Sequence, residues 1–180
     1  MNQMLTRFKP TWMITSIYEI TPDEIKEMGI KVILTDLDNT LIAWNNPDGT
    51  PKLREWLEIM SNEKIPVVVV SNNNKKRVAQ AVEPLGLPFI ARAMKPLTKG
   101  INEAKKKLDL EDSQIVLVGD QLLTDVAAAN AAKIRSIWVK PLVETDAWNT
   151  KLNRFLEKII KKRLQKKNII KKVWGHSLND

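Results

Sequence analysis

The sequence predicts an α/β fold, a Rossmann-like parallel sheet of about five strands flanked by helices. Three observations carry that expectation. Short apolar runs alternate along the chain with longer stretches of helical periodicity, the order that builds βα units. One run, Ile65-Pro66-Val67-Val68-Val69-Val70, is continuous rather than alternating, as in a strand covered on both faces. Several runs end in polar residues, where open parallel sheets bind their ligands.

Residues 1–20 show no clear periodicity, and Phe8, Pro10, Trp12, Ile14, Ile17 and Tyr18 are expected to pack on the body as an irregular arm. Thr21-Pro22-Asp23-Glu24 opens a helix with a cap residue, proline at the first helical position and acids in the first turn. Gly29 ends it, and residues 31–36 form the first strand. Pro51 starts a second helix through Trp56, Leu57 and Met60, which leads into the β-branched run at 65–70. A helix over 75–84 precedes Gly86, and Phe89-Ile90-Ala91 is a short third strand. Residues 97–108 read as an amphipathic helix and Ile115-Val116-Leu117-Val118 as the fourth strand. An alanine-rich helix over 122–131 leads to the fifth, Ile134 to Val139.

At 180 residues with 43% apolar side chains, the chain suits one globular domain with an appendage. The absence of cysteine excludes a disulfide framework, a thiolate metal site and a cysteine nucleophile, and fits a cytoplasmic protein. Met1 to Trp12 lacks the apolar core of a secretory signal, and no apolar run approaches the roughly 18–20 residues of a spanning helix. The net charge of +8 is unevenly placed, because residues 151–174 carry ten basic side chains against Glu157. The remainder is close to neutral. The expected division is therefore a body over 1–150 and a basic amphipathic helical tail over 151–180.

The polar strand ends hold the chemistry. Asp36-Leu37-Asp38-Asn39-Thr40-Leu41 follows the first strand, placing two carboxylates on one side of the chain just where the strand stops. Ser71-Asn72-Asn73 follows the second, Lys95-Pro96 opens the helix after the third, and Gly119-Asp120 follows the fourth with Asp125 five residues on. In this order the motifs resemble the four-motif pattern of the haloacid dehalogenase (HAD) superfamily over residues 8–150. They look most like a subfamily IIIA group that includes bacterial proteins similar to the mitochondrial phosphatidylglycerophosphate phosphatase.

The resemblance implies a Mg²⁺-dependent phosphomonoester hydrolase working through an aspartyl-phosphate. Asp36 is the implied nucleophile and Asp38 the general acid and base. Mg²⁺ would be held by the carboxylates of Asp36 and Asp120 and by the backbone carbonyl of Asp38. Ser71 and the amide of Asn72 would hold phosphate oxygens, and Lys95 would stand between nucleophile and phosphate. Asp125 and Thr40 would support this set, Asp125 by orienting metal-bound water or Lys95.

Cap domains of the superfamily are inserted after the first motif or between the second and third. Only 29 residues separate Leu41 from Ser71, and 23 separate Ser71 from Lys95, all used by the predicted elements. An uncapped site accepts a phosphate on something large, with Trp44, Asn45 and Asn46 candidates for its rim; Trp44 is equally a core residue. A small substrate would need closure from elsewhere, such as a partner in a homo-oligomer.

In the tail, Trp148, Leu152, Phe155, Leu156, Ile159, Ile160 and Leu164 follow helical spacing, and Ile169, Ile170, Val173 and Trp174 resume it after Lys166-Lys167-Asn168. Two helical pieces are expected. Three uses stay open: docking on the sheet with a solvated charged face, lying on an anionic membrane at its inner face, or binding nucleic acid. The only histidine, His176, receives no role. The functional expectation is a phosphatase of phosphatidylglycerophosphate or a similar lipid phosphate. The alternatives are a phosphatase of a soluble sugar phosphate or nucleic-acid end, and a non-enzymatic RNA- or ribosome-associated module.

Overall fold

The computed structural model of the chain describes residues 3–46, 48–143 and 151–180. In chain order the elements are α1 (Gln3–Thr6), β1 (Trp12–Ile14), α2 (Pro22–Glu27), β2 (Val32–Thr35), α3 (Pro51–Asn62), β3 (Val67–Val70) and α4 (Lys75–Val82). They continue with β4 (Phe89–Ile90), α5 (Lys99–Leu108), β5 (Ile115–Gly119), α6 (Ala127–Ala131), β6 (Arg135–Val139) and α7 (Lys151–Lys166). The six strands form one parallel sheet in the order β1-β6-β5-β2-β3-β4. After β2 the chain adds β3 and β4 on one side, then returns to place β5 and β6 on the other. The reversal falls between β2 and β5, the crevice where such sheets bind ligands.

Local chemistry explains the helix starts. Thr21 and Glu24 close a capping box around Pro22, Thr50 accepts from the Leu53 amide at 3.2 Å ahead of Pro51, and the Asn74 side chain accepts from the Arg77 amide at 2.9 Å. Period-two alternation divides the strands between two cores. Val67 and Val69 pack with Ile33, Val116 and Val118 under α3 and α4, whose Trp56, Met60 and Val78 fill that side. Val68 and Val70 pack with Leu34, Ile115 and Leu117 under α5 and α6. Burial on both faces is what the unbroken valine run predicts.

Two expectations are corrected. The N-terminal arm is not wholly irregular, because Trp12–Ile14 forms β1 and pairs in parallel with Ile137–Val139 of β6. Three residues are too few to display a period, so only the distant partner reveals the strand. The tail is not two helical pieces. α7 ends at Lys166, where Asn168 turns left-handed (φ 54°) and the Ile169 amide reaches back to the Leu164 carbonyl at 2.9 Å.

Beyond that stop the chain runs without helix along β1. The Gly175 amide donates to the Met13 carbonyl and the Thr15 amide to the Gly175 carbonyl, both at 3.0 Å, so the C-terminal segment covers the sheet edge. Leu178 is buried in the core beneath α3, while Leu164 and Ile170 join Leu5, Leu122, Val126 and Trp138 in a third cluster. The predicted stripe docks only in part, with Ile160 and Leu164 packed in that third cluster. Arg154, Glu157, Lys161 and Leu164 turn toward the body, and Phe155 and Leu156 stay 60% and 40% exposed. Trp148 and the side chain of Leu152 lie outside the described residues. Among the described residues no helix is long and apolar enough to cross a membrane.

Candidate active site

The sequence-predicted residues meet at one rim of the sheet. Asp36 leaves β2, Ser71 leaves β3, and Asp120 leaves β5; the Asp36 amide donates to the Val118 carbonyl at 2.9 Å, tying the two central strand ends together. Between Leu37 and Ile42 the backbone folds into a tight loop. Leu41 and Ile42 amides both donate to the Leu37 carbonyl at 3.0 Å, and Asn39 takes a left-handed φ of 63°. Tyr18, from the arm, donates its hydroxyl to the Leu41 carbonyl at 2.5 Å and fixes the far side of that loop.

Lys95 is the buried hub. Its Nζ lies 2.7 Å from Asp36 Oδ1 and 2.8 Å from Asp125 Oδ1, with the lysine side chain only 2% exposed. Burial alone would lower its pKa, but the carboxylates of Asp125 and Asp36 outweigh that and hold it above the usual lysine range. Asn72 places it: the Lys95 amide donates to Asn72 Oδ1 at 2.7 Å, and Asn72 Nδ2 donates to the Lys95 carbonyl at 2.9 Å. The side chain of Asn72 thus clamps the lysine loop. Ser71 is buried, and its Oγ accepts from the Asn73 amide at 3.2 Å.

Asp120 and Asp125 lie behind Asp36. One carboxylate oxygen from each of the three lies within 4.8 Å of the other two. Thr40 Oγ1 donates to Asp120 Oδ1 at 3.2 Å, Trp138 Nε1 to the Asp120 carbonyl at 3.0 Å, and the Gln121 amide to Asp125 Oδ2 at 3.0 Å. Gly119 permits the close packing, since a Cβ there would stand 2.3 Å from the Asp125 carboxyl. Residues 122–126 form a π-helical turn that aims Asp125 back at Lys95.

Burial dominates the acids. It pushes Asp36 up to about 6 against the pull of Lys95, and Asp120 up to about 8 with the help of the Asp125 charge and against Arg154. Asp38 is raised less, burial being offset by Arg77 and by a hydrogen bond from Asn73. Its carboxylate does not join the other three. It receives Asn73 Nδ2 at 2.5 Å and Arg77 at 2.8 Å. A cluster of oxygen donors whose ionisation is resisted by burial and mutual repulsion is what a hard divalent cation relieves, so the donor set fits one of the Mg²⁺ class.

Trp44 is 38% exposed, and Asn45 and Asn46 are exposed beside it, so none of the three is a core residue. Two residues of the cluster carry no motif signal. Arg77 stands in the first turn after Ser71-Asn72-Asn73, near enough in sequence to have been weighed with them. Arg154, on α7, reaches Asp120 Oδ2 at 2.6 Å, and Glu157 follows it, accepting from the Leu123 amide at 3.2 Å.

Residues 93–160 match the model of the HAD-hydrolase-like family. Over 163 residues the chain is 44% identical to the probable phosphatase YqeG of Bacillus subtilis (strain 168), an alignment covering 91% of this chain and 95% of that protein. This chain belongs to the HAD-like phosphatases. It is also 28% identical over 130 residues to the chloroplastic phosphatidylglycerophosphate phosphatase 1 of Chlamydomonas reinhardtii, covering 66% of this chain and 47% of that protein. The fold of this HAD-like phosphatase is similar to that of an uncharacterized protein from Listeria monocytogenes serotype 4b. The TM-score is 0.51 at 17% identity, covering 74% of this chain and 99% of that one.

Proposed function

We propose that the chain is a Mg²⁺-dependent phosphomonoesterase that works through an aspartyl-phosphate on Asp36. The observation that carries this reading is the approach of Asp36, Asp120 and Asp125 within 4.8 Å around the buried Lys95. A divalent cation bound at Asp36 and Asp120 would neutralise charge on the phosphoryl oxygens. Lys95 supplies a fixed positive charge beside the attacking oxygen, and Ser71 with the Asn72 amide receives the remaining phosphoryl oxygens.

In the first step an Asp36 carboxylate oxygen attacks phosphorus and the bond to the alcohol oxygen breaks. Asp38, protonated, gives its proton to the departing oxygen. In the second, Asp38 takes a proton from water as that water attacks phosphorus; inorganic phosphate leaves and Asp36 is restored. The half-exposed Asp38 carboxyl, held by Asn73 and Arg77 and raised above the usual carboxylate range, suits a group that exchanges protons with solvent.

The substrate we assign is phosphatidylglycerophosphate or a similar lipid phosphate. Support comes from the rim, which carries no inserted cap among the described residues, and from the name of the Chlamydomonas relative. The tail adds to it: Phe155 and Val173 are 60% and 76% exposed in a lysine-rich stretch of sequence, side chains suited to peripheral contact with an anionic membrane. The test is a phosphatase screen that includes this lipid in mixed micelles, run with Mg²⁺ and with chelator. Hydrolysis that needs the metal is expected, and a screen in which no ester is cleaved sinks the reading. Cleavage of soluble esters alone would remove only the lipid.

A further inference from the structure

A cavity beside the carboxylate cluster is not explained by the body's motifs. It has a volume of about 570 Å³ and opens beside Asp120, lined by Trp138, Lys140, Arg154, Glu157, Lys158, Lys161 and Trp174 among others. That volume falls within the roughly 300–1,000 Å³ that small ligands occupy. One wall is aromatic: the rings of Trp138 and Trp174 lie 4.5 Å apart, centre to centre. Lys161 Nζ sits 5.5 and 5.4 Å from the two ring centres, and Lys140 Nζ 5.7 Å from that of Trp174, so both ammonium groups are held against indole faces.

The charge is lopsided. Both acids that line the cavity are buried and engaged, Asp120 with Arg154 and Thr40, and Glu157 with Arg154 and the Leu123 amide. Among the described residues, none of Lys140, Lys158 and Lys161 pairs with a carboxylate. Among the described residues, four cations against two acids leave a net positive cavity that shares its inner wall, Asp120, with the clustered carboxylates. Solvated surface lysines would be spread over a helix face. Here lysines from two elements, β6's end and α7, converge with Arg154 on one hollow beside the reacting group.

The geometry points to a second anion subsite in this cavity, which takes a phosphate carried by the alcohol portion of the substrate while the scissile phosphate lies against Asp36. The inference rests on the phosphatase reading and narrows it to monoesters whose alcohol bears a second phosphate. That chemistry occurs in a lipid head group, as a phosphodiester, and in a soluble bisphosphate, as a second monoester.

The test separates these sources and also separates binding from turnover. The full-length Asp36→Asn protein, in Mg²⁺ buffer, is titrated calorimetrically with glycerol 1-phosphate, glycerol 1,3-bisphosphate and dihexanoyl phosphatidylglycerophosphate. The two doubly phosphorylated probes should bind about tenfold or more tighter than the single one, the gain expected of one charge-assisted contact. Lys158→Gln, at an exposed position that folding tolerates, and Lys161→Gln should each shrink that advantage.

A tighter lipid with an unimproved bisphosphate, still sensitive to both lysines, assigns the subsite to the diester. Equal affinities for all three probes overturn the inference, as does an advantage that neither lysine affects. In the active protein the ratio of kcat/KM for the bisphosphate over p-nitrophenyl phosphate should fall about tenfold with either lysine variant. Loss in equal proportion on both esters also overturns it. Failure of the phosphatase reading shows differently: no turnover of any ester, with selective binding intact.

Discussion

The two flanks of the carboxylate cluster use the same pair in opposite settings. On one, Arg77 meets Asp38 at 2.8 Å with side chains 30% and 26% exposed. On the other, Arg154 meets Asp120 at 2.6 Å with side chains 18% and 0% exposed. A pair left partly open to solvent is screened and contributes about 1 kcal/mol. A buried pair, once broken, leaves a desolvated charge and costs about 3–5 kcal/mol. The difference bears on the proposed mechanism: the part-exposed Asp38 carboxyl would be the one to release and regain a proton, whereas Asp120 is held by Arg154 in the interior.

The largest effect is expected at the group both flanks serve. Asp36→Asn removes the proposed nucleophile and should lower kcat on p-nitrophenyl phosphate by at least about 10³-fold, with the fold retained. Full turnover by that variant would end the aspartyl-phosphate reading and make the contrast between flanks irrelevant to chemistry.

The contrast itself is tested by matched substitutions. At pH 9 in chelator, above the value of about 8 to which burial pushes Asp120, that carboxyl is ionised in the folded protein. Arg154→Met should then lower the urea-unfolding free energy by about 3 kcal/mol, and Arg77→Met by about 1 kcal/mol or less. Mg²⁺ should return more stability to the first variant than to the second, because a cation at Asp120 replaces the lost partner. Equal losses would erase the distinction.

How far each flank could be read from the chain follows from the same contrast. Asp36, Ser71, Lys95 and Asp120 each stand at the end of an apolar run or beside a helix start, so local pattern marked them, and the reversal between β2 and β5 brought them together. Arg77 lay within reach of that reasoning. Arg154 did not. Helical periodicity ranks faces by apolarity, and by that measure Phe155 belongs inside; a buried carboxylate 34 residues earlier in sequence instead draws Arg154 inward, and Phe155 stays exposed beside it. β1 escaped for a related reason, since Trp12 finds its partner in Ile137 and three residues show no period of their own.

A smaller effect sharpens the electrostatic side. Asp36 and Asp120 titrate higher in the fold than in the unfolded chain, so folding takes up protons as they ionise. Their contribution is whole below the ordinary aspartate value of about 4. It is lost as pH rises through about 6 and about 8. In chelator the urea midpoint should therefore fall across that window, and Asp120→Asn should flatten the alkaline part. Parallel curves for the two proteins would show that Asp120 ionises freely in the fold.

The smallest effect lies away from the cluster, where the chain's end is tied down. Glu24 Oε1 accepts from Ser177 Oγ and, at 2.8 Å, from the Leu178 amide, while its other oxygen serves the Thr21 cap. Burial alone would raise this carboxyl, but the hydrogen bonds from Ser177, Thr21 and Leu178 outweigh it and hold it below the usual glutamate range. The sign is opposite to that of Asp120: the stabilisation is present above the ordinary value of about 4.3 and is lost as pH falls through the lower folded value. Glu24→Ala removes both the capping box and this tie and should cost about 1–2 kcal/mol. Hydrogen exchange should locate the change, with faster exchange at Leu178 in the variant and, in the wild type, at acid pH after correction for intrinsic rates. Because the segment that Glu24 anchors also carries Trp174 into the cationic cavity, unchanged protection at Leu178 would mean that α7 and the sheet edge hold that wall without it.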